Sequence, residues 1–181
     1  MSDYTSVMEF RSLARDEIDL VWTIDRRERV DNIYRLIEGE LRLEPLNFDV
    51  PGWHPDSPRN MTPLLHEAFE RGGNFYAAFD GEQLAGVSVL DTVWLGPRRD
   101  LLQLEFMHVV RDYRGRGLGK TLFEQAADGA RARGARGLYI SANPSANTIR
   151  FYQDRGSVLL ATPDPELFAR EPEDIHLECL V

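Results

Sequence analysis

Apolar and polar positions first settle into a clear rhythm between residues 74 and 110. NFYAAF, the pair Asp80-Gly81 and EQLAGVSVLDTVWL make two apolar, β-rich runs joined at a D-G turn, and Gly96-Pro97 turns the chain again into LLQLEFMHVV at 101–110. Three successive antiparallel strands are predicted. After Gly115, Gly117 and Gly119 the period lengthens from 2 to 3.6, with Leu118, Leu122, Ala126 and Ala130 on one stripe, Phe123 and Ala127 beside it, and Gly134 as the stop. GLYISA at 137–142 is a short apolar strand. A strand, a helix and a strand imply a crossover, so 137–142 is expected parallel to 101–110. Ser145 or Asn147 then caps a helix through Ile149 and Tyr152 that stops at Gly156, and VLLA and IHLECLV read as closing strands.

The first third is less regular. VMEFRSL at 7–13 alternates loosely and suits a strand; Asp16 is the expected N-cap of a helix whose apolar face takes Ile18, Val21, Trp22 and, further on, Ile33 and Leu36. From 45 to 63 the periodicity is lost. Pro45, Pro51, Pro55, Pro58 and Pro63 are half of the 10 prolines, interleaved with Phe48, Trp53 and His54, which predicts an ordered loop with aromatic anchors. Thr62-Pro63 offers a cap and an N1 proline for a helix through Leu65 and Phe69 that Gly72-Gly73 ends. The fold class is α/β (α+β): a mixed, mostly antiparallel sheet with a central parallel pair, flanked by helices.

Composition narrows the function. The 181 residues, 43% of them hydrophobic, suit one domain over 1–181, and no run reaches the roughly 18 apolar residues of a membrane span. MSDYTSVMEF has neither the basic nor the apolar region of a signal peptide, so a cytoplasmic address is expected. The single cysteine, Cys179, fits a reducing compartment, either as a core residue on a strand or as a reactive thiol. A net charge of −9 argues against nucleic acid and anionic membranes as partners and favours a cationic substrate. Against that background Arg111, Arg114, Arg116 and Lys120 fall within ten residues, on the glycine-rich stretch.

That stretch, RGRGLGKT at 114–121, misses two nucleotide motifs by one residue each. A Walker A loop needs glycine where Arg114 stands, and the dinucleotide fingerprint needs one where Lys120 stands. A P-loop enzyme also lacks its magnesium strand, since no apolar run ending in Asp follows. The position between a strand and a first helical turn still makes an anion site, because free backbone N–H groups and the positive helix end meet there. The competing reading is a glycine-rich turn that packs helix on sheet.

VVRDYRGRGLGKTLF resembles the central motif of the GNAT superfamily of N-acetyltransferases, [RQ]-x-x-G-x-[GA], met by Arg114, Gly117 and Gly119. NTIRFYQDRG at 147–156 is similar to the same superfamily's second motif, an Asn followed by an aromatic-Tyr pair on a helix ended by glycine. The two motifs stand at the family's usual separation, and the strand order matches across essentially the whole chain. Arg150 stands where the family often has alanine and Ser157 where an aromatic is common, and 45–63 matches no family-wide pattern.

The resemblance implies acetyl-CoA as the cofactor and acetyl donor, its pyrophosphate held by Arg114, Gly115, Arg116, Gly117, Leu118, Gly119 and Lys120. It implies that the central parallel strands splay, with the pantetheine pairing on Met107 and Val109 and the Met107 amide polarising the thioester carbonyl. Strand alternation places Gln103, Glu105, Met107 and Val109 on one face, so Glu105 is the candidate base, or a contact for the substrate ammonium, or a solvent-facing carboxylate. His108 falls on the other face as a core histidine. Tyr152 matches the family's tyrosine that reprotonates the thiolate, or is a core aromatic; Asn147 matches the cofactor-binding asparagine, or is an N-cap. Phe48, Trp53 and His54 are expected to meet the acceptor, a small and cationic primary amine attacked directly in a ternary complex. A protein N-terminus or lysine as acceptor, and a non-catalytic acyl-CoA-binding or regulatory module, stand as the alternatives. By the same analogy the closing strands offer an edge for a homodimer. No metal is expected.

Overall fold

The computed structural model describes residues 8–181. In chain order its elements are β1 (Glu9–Ser12), a 3-10 helix (Arg15–Thr23), β2 (Glu28–Ile37), β3 (Glu40–Val50), α1 (Ser57–Glu70), β4 (Asn74–Asp80), β5 (Gln83–Leu95) and β6 (Leu101–Val109). There follow a short 3-10 turn (Arg111–Tyr113), α2 (Leu118–Ala132), β7 (Gly137–Ala142), α3 (Ala146–Gln153), β8 (Val158–Leu159), α4 (Pro165–Arg170) and β9 (Ile175–Leu180). Seven strands form one sheet in the order β1-β4-β5-β6-β7-β9-β8, and β2 and β3 form a separate hairpin. Only the β6–β7 pair is parallel among these strands, and α2 is its crossover. The mixed sheet expected from the alternation is present, and Cys179 is a buried residue of β9.

The two faces of the sheet carry different covers. On one side α2 brings Phe123, Ala126 and Ala130 against Leu90, Leu102, Leu104 and Leu138, and Leu122 against Ala78 and Ala85. On the other, the first 3-10 helix and α1 bring Ile18, Val21, Leu65 and Ala68 against Phe75, Val87, Val89 and Phe106. An ion pair with a buried carboxylate pins the second layer: Asp91, whose side chain is 3% exposed on β5, takes the partly exposed Arg71 at the end of α1 at 2.5 Å.

Three expectations for the first third are corrected. Residues 28–50 are a hairpin, so Ile33 and Leu36 lie on β2 and not on a helix that began near Asp16. The N-cap there is Ala14, whose N–H is taken by Glu17. The segment 45–63 is not one loop: β3 runs to Val50 and α1 starts at Ser57, five residues ahead of Thr62, which leaves 51–56 irregular. Pro45 is tolerated because β3 pairs only with β2 and leaves its other edge free of ladder bonds. The strand expected at 7–13 is β1, its first residue lying outside the described ones.

Gly129 shows how closely α2 sits on the sheet. A Cβ there would lie 2.1 Å from the Tyr76 hydroxyl and 3.1 Å from Leu90. Alanine would gain about 1 kcal/mol of helix propensity, but overpacking typically costs about 1–3 kcal/mol. Gly129→Ala is therefore expected to lower stability in a urea titration, and Gly129→Ala with Tyr76→Phe to recover most of the loss; a more stable single variant would contradict this packing.

Candidate active site

β6 and β7 pair over only three residues, Leu101–Gln103 against Gly137–Tyr139, and then separate. Beyond Gln103 that edge of β6 has no partner strand. Val110 donates its N–H to Ala85 on β5, so alternation turns the backbone groups of Val109 and Met107 the other way, into the gap. A side chain takes the Val109 carbonyl, and none of these strand hydrogen-bonding groups has a partner strand among the described residues.

The glycine-rich stretch ends the gap. Gly115 and Gly117 have φ of +73° and +86°, and nothing lies within 4 Å of where a Cβ would be on either. They are glycines for conformation, and they leave bare backbone facing open space. Gly117 is the N-cap of α2, so the N–H groups of Leu118, Gly119 and Lys120 have no intrahelical acceptor. Arg116 and Lys120 line a flanking cavity of about 450 Å³ with Tyr113 and Phe10. Gly119 serves packing instead, its Cβ position being 3.2 Å from the Phe151 ring.

Arg114 turns inward. Its Nε donates to the Val109 carbonyl at 3.0 Å, and its Nη1 stands 3.6 Å from Glu28, whose other oxygen accepts from Asn147 Nδ2 at 3.0 Å. Glu28 thus ties the loop to α3, a role the sequence gave no sign of because 28–37 reads as helix. Asn147 is free for this contact because the cap of α3 is Ser145, whose hydroxyl accepts from Thr148 N–H. Tyr152 sits on the buried face of α3 among Phe123 and Phe151, and burial pushes its phenol well above the ordinary range.

A second cavity, of about 480 Å³, opens against Gln103 and Glu105 and is walled by His54 and Asn60 on one side and by Ser141, Arg170 and Glu171 on the other. Here alternation misled. Phe106 pairs with Val89 but Leu104 pairs with Leu90, so Glu105 is the extra residue of a β-bulge. Leu104 and Met107 both face α2, while Glu105 and Phe106 face α1. Glu105 and Met107 therefore lie on opposite faces. The Met107 amide is unaffected, since it lies in the plane of the sheet.

Of the three aromatic and imidazole candidates for the acceptor, only His54 lines this cavity. Phe48 is 52% exposed on β3 and is not among the lining residues. Trp53 is a packing element, with Nε1 donating to Ile24 O at 2.9 Å and its ring stacked on Phe106 at 5.7 Å and edge-on to His108 at 4.7 Å. His108 is only partly buried, but its imidazole, packed against Trp53 and Phe106, is pushed down to about 3 by desolvation and is therefore neutral.

The electrostatics of Glu105 stand out. Its side chain is 9% exposed, and burial pushes its carboxyl up to about 7, against the opposing pull of Arg170 at 3.7 Å. Asp174, which accepts from Ser141, is pushed up to about 7 as well, by burial and by neighbouring Glu171.

The family model for the acetyltransferase (GNAT) family matches residues 31–156. The chain belongs to the acetyltransferase (GNAT) family. The structure of nourseothricin acetyltransferase superposes with a TM-score of 0.71 at 23% identity, covering 96% of this chain and 98% of that one. A Bacillus anthracis str. Ames protein named for streptothricin acetyltransfer, solved with acetyl coenzyme A, gives 0.66 at 21% identity over 97% and 98%. The PaiA N-acetyltransferase of Thermoplasma acidophilum, solved with coenzyme A, gives 0.63 at 14% identity over 97% and 99%. No curated protein matches the sequence. At these identities the neighbours speak for the fold, and the family model speaks for membership.

As a GNAT enzyme the chain is an N-acetyltransferase whose cofactor is acetyl-CoA. The residues fit that molecule: open strand edge at Met107 and Val109, bare glycine backbone at 115 and 117, and uncapped amides at the start of α2. Among the described residues no helix is long and apolar enough to cross a membrane, and no cluster of metal-ligating side chains occurs.

The raised Glu105 carboxyl has a consequence for folding. The unfolded chain ionises it near the ordinary value of 4.5 while the folded chain resists until about 7. Stability conferred by the neutral form is thus complete below about pH 4.5 and lost as pH rises to about 7, at roughly 1.4 kcal/mol per unit. Glu105→Gln is expected to match the wild type near pH 4.5 and to be more stable by up to about 3 kcal/mol at pH 8 in denaturant titrations. A variant less stable than wild type at pH 8 would mean that the folded protein favours the carboxylate.

Proposed function

We propose that this acetyltransferase moves an acetyl group to a primary amine of a small cationic molecule by direct attack in a ternary complex. The observation that carries the reading is Glu105: a carboxyl with a side chain 9% exposed, on the wall of a cavity of about 480 Å³, pushed up to about 7. An alkylammonium has a pKa near 10, so attack requires a base, and a base is most effective when its own pKa lies near the working pH. Glu105 accepts that proton. Glu105 and Glu171 on the cavity wall and the net charge of −9 favour a cation, and the walls given by α1 and α4 favour a small acceptor over a folded protein.

The rest of the machinery is assigned by the same reasoning. When bound, acetyl-CoA supplies an acyl group activated as a thioester. The amides of residues 115–120 with Arg116 and Lys120 hold its phosphates, Arg114 exchanging Glu28 for them, and Asn147 lines the passage. Met107 N–H, with Val109 beside it, donates to the acyl oxygen from the open edge of β6. We assign Tyr152 the proton that the departing thiolate needs; burial keeps the phenol neutral at every working pH and at the same time raises the cost of giving that proton up. His54 contacts the acceptor at the cavity mouth, whereas Trp53 supports the wall from behind. Nourseothricin and streptothricin, for which two structural neighbours are named, head the list of acceptors to try.

A thiol-release assay across amines, starting with these two, tests the reading. Glu105→Gln is expected to lower kcat by about 100-fold or more and to abolish an acidic limb near pH 7, and Tyr152→Phe to lower kcat with little change in acetyl-CoA affinity. Turnover unchanged in both variants would overturn the assignment of base and acid.

A further inference from the structure

The charge facing Glu105 is balanced in an unusual way. Four charged groups act on it: Arg170 and Glu171 from the end of α4, Asp91 from β5 and Arg71 from the end of α1. Arg71 is already committed, its guanidinium gripped by the buried Asp91 carboxylate at 2.5 Å. The only cation within ion-pair distance of Glu105 among the described residues is therefore Arg170, whose Nη1 stands 3.7 Å from Oε1.

That contact is built differently from the Arg71–Asp91 pair. It is long and single where Arg71 bonds both Asp91 oxygens, and it comes from the last residue of a six-residue helix, although the two arginine side chains are about equally exposed, at 46% and 41%. Returning such a guanidinium to water costs little, because half of it is hydrated already. Both partners line the cavity assigned to the acceptor. A nitrogen delivering its proton to Glu105 must approach to hydrogen-bond distance, where it competes with the guanidinium for the same oxygen.

We propose that Arg170 is the resident counter-ion of Glu105, held where the ammonium of the acceptor must bind, so that acceptor entry is an exchange of one cation for another. The proposal rests on the reading of Glu105 as the base. It assigns Arg170 two effects as a positioning residue. In the resting enzyme it partly offsets the upward push of burial on the Glu105 carboxyl, and on binding it favours acceptors that bring a positive charge. An ammonium replaces the guanidinium at constant charge in the cavity. A neutral aromatic amine offers no replacement charge, and displacing Arg170 for it would leave a buried carboxylate unpaired.

The test uses Arg170→Met, which keeps length and loses charge, and Arg170→Lys, which keeps charge. The first readout needs no acceptor: titration of the Glu105 carboxyl by carbon NMR in the full-length protein. It is expected to move up by about one unit in Arg170→Met and to stay near its wild-type position in Arg170→Lys. The second is the pH profile of kcat/KM, whose acidic limb is expected to follow the titration. At pH 9, where Glu105 is ionised regardless, the KM for a cationic amine is expected to fall several-fold in Arg170→Met. An unmoved carboxyl titration in Arg170→Met, or a uniform loss of kcat with an unmoved limb, would overturn the proposal. If the wild type turns over no amine, the proposed function fails instead, and the titration still decides whether Arg170 is the counter-ion.

Discussion

The structure depends on a sheet that comes apart in the middle. β6 and β7 hold each other through three residue pairs and then diverge, although β7 remains fully paired with β9 on its other side. Unpaired strand edges inside a fold leave backbone donors and acceptors without partners, which is costly unless a ligand or side chain takes them. Here Arg114 takes one, the Val109 carbonyl, and the cofactor's amide-bearing arm suits the rest. The glycine loop and the start of α2 lie at the end of this gap because α2 must leave β6 there to cross to β7. One topological requirement thus delivers both the open edge and the anion site.

The Glu105 carboxyl sits on the opposite face of the sheet from α2. A single bulge at Glu105 turns that carboxyl toward α1 while returning Met107 to the α2 side, so the acceptor cavity and the crossover helix do not compete for space. Glu105 shares the cavity wall with Leu64, Met61 and Leu167, and Arg170 at the end of α4 stands 3.7 Å from its carboxylate. Burial that would silence a surface carboxylate instead brings this one into the range where it can take a proton at neutral pH.

Much of this was legible in the chain. The period change at the glycines located α2, the D-G turn located β4 and β5, and RGRGLGKT with NTIRFYQDRG pointed to the cofactor loop and α3. Two features were not legible, for one physical reason. A bulge on β3, where Leu46 and Asn47 stand opposite Asp31 alone, breaks the rhythm of the hairpin, the buried residues Val30 and Ile33 stand three apart on β2 in a spacing that imitates a helix, and the turn uses a non-glycine, Glu38, at φ +52°. The bulge at Glu105 likewise breaks a two-residue rhythm that sequence alone continues. Bulges leave no reliable residue signature, and they occur where strands must re-aim a side chain. The contacts of Glu28 with Arg114 and of Arg170 with Glu105 were hidden because both join segments far apart in the chain.

Amide NMR during a titration with acetyl-CoA tests the central claim most directly, namely that the cofactor lies along the free edge of β6 with its phosphates at the start of α2. The Met107 and Val109 N–H signals should shift and exchange more slowly with solvent, together with those of Gly117, Leu118, Gly119 and Lys120, while Mg-ATP leaves Met107 and Val109 unmoved. Saturation with acetyl-CoA that leaves the Met107 and Val109 amides unprotected would contradict the gap between β6 and β7 as the cofactor site.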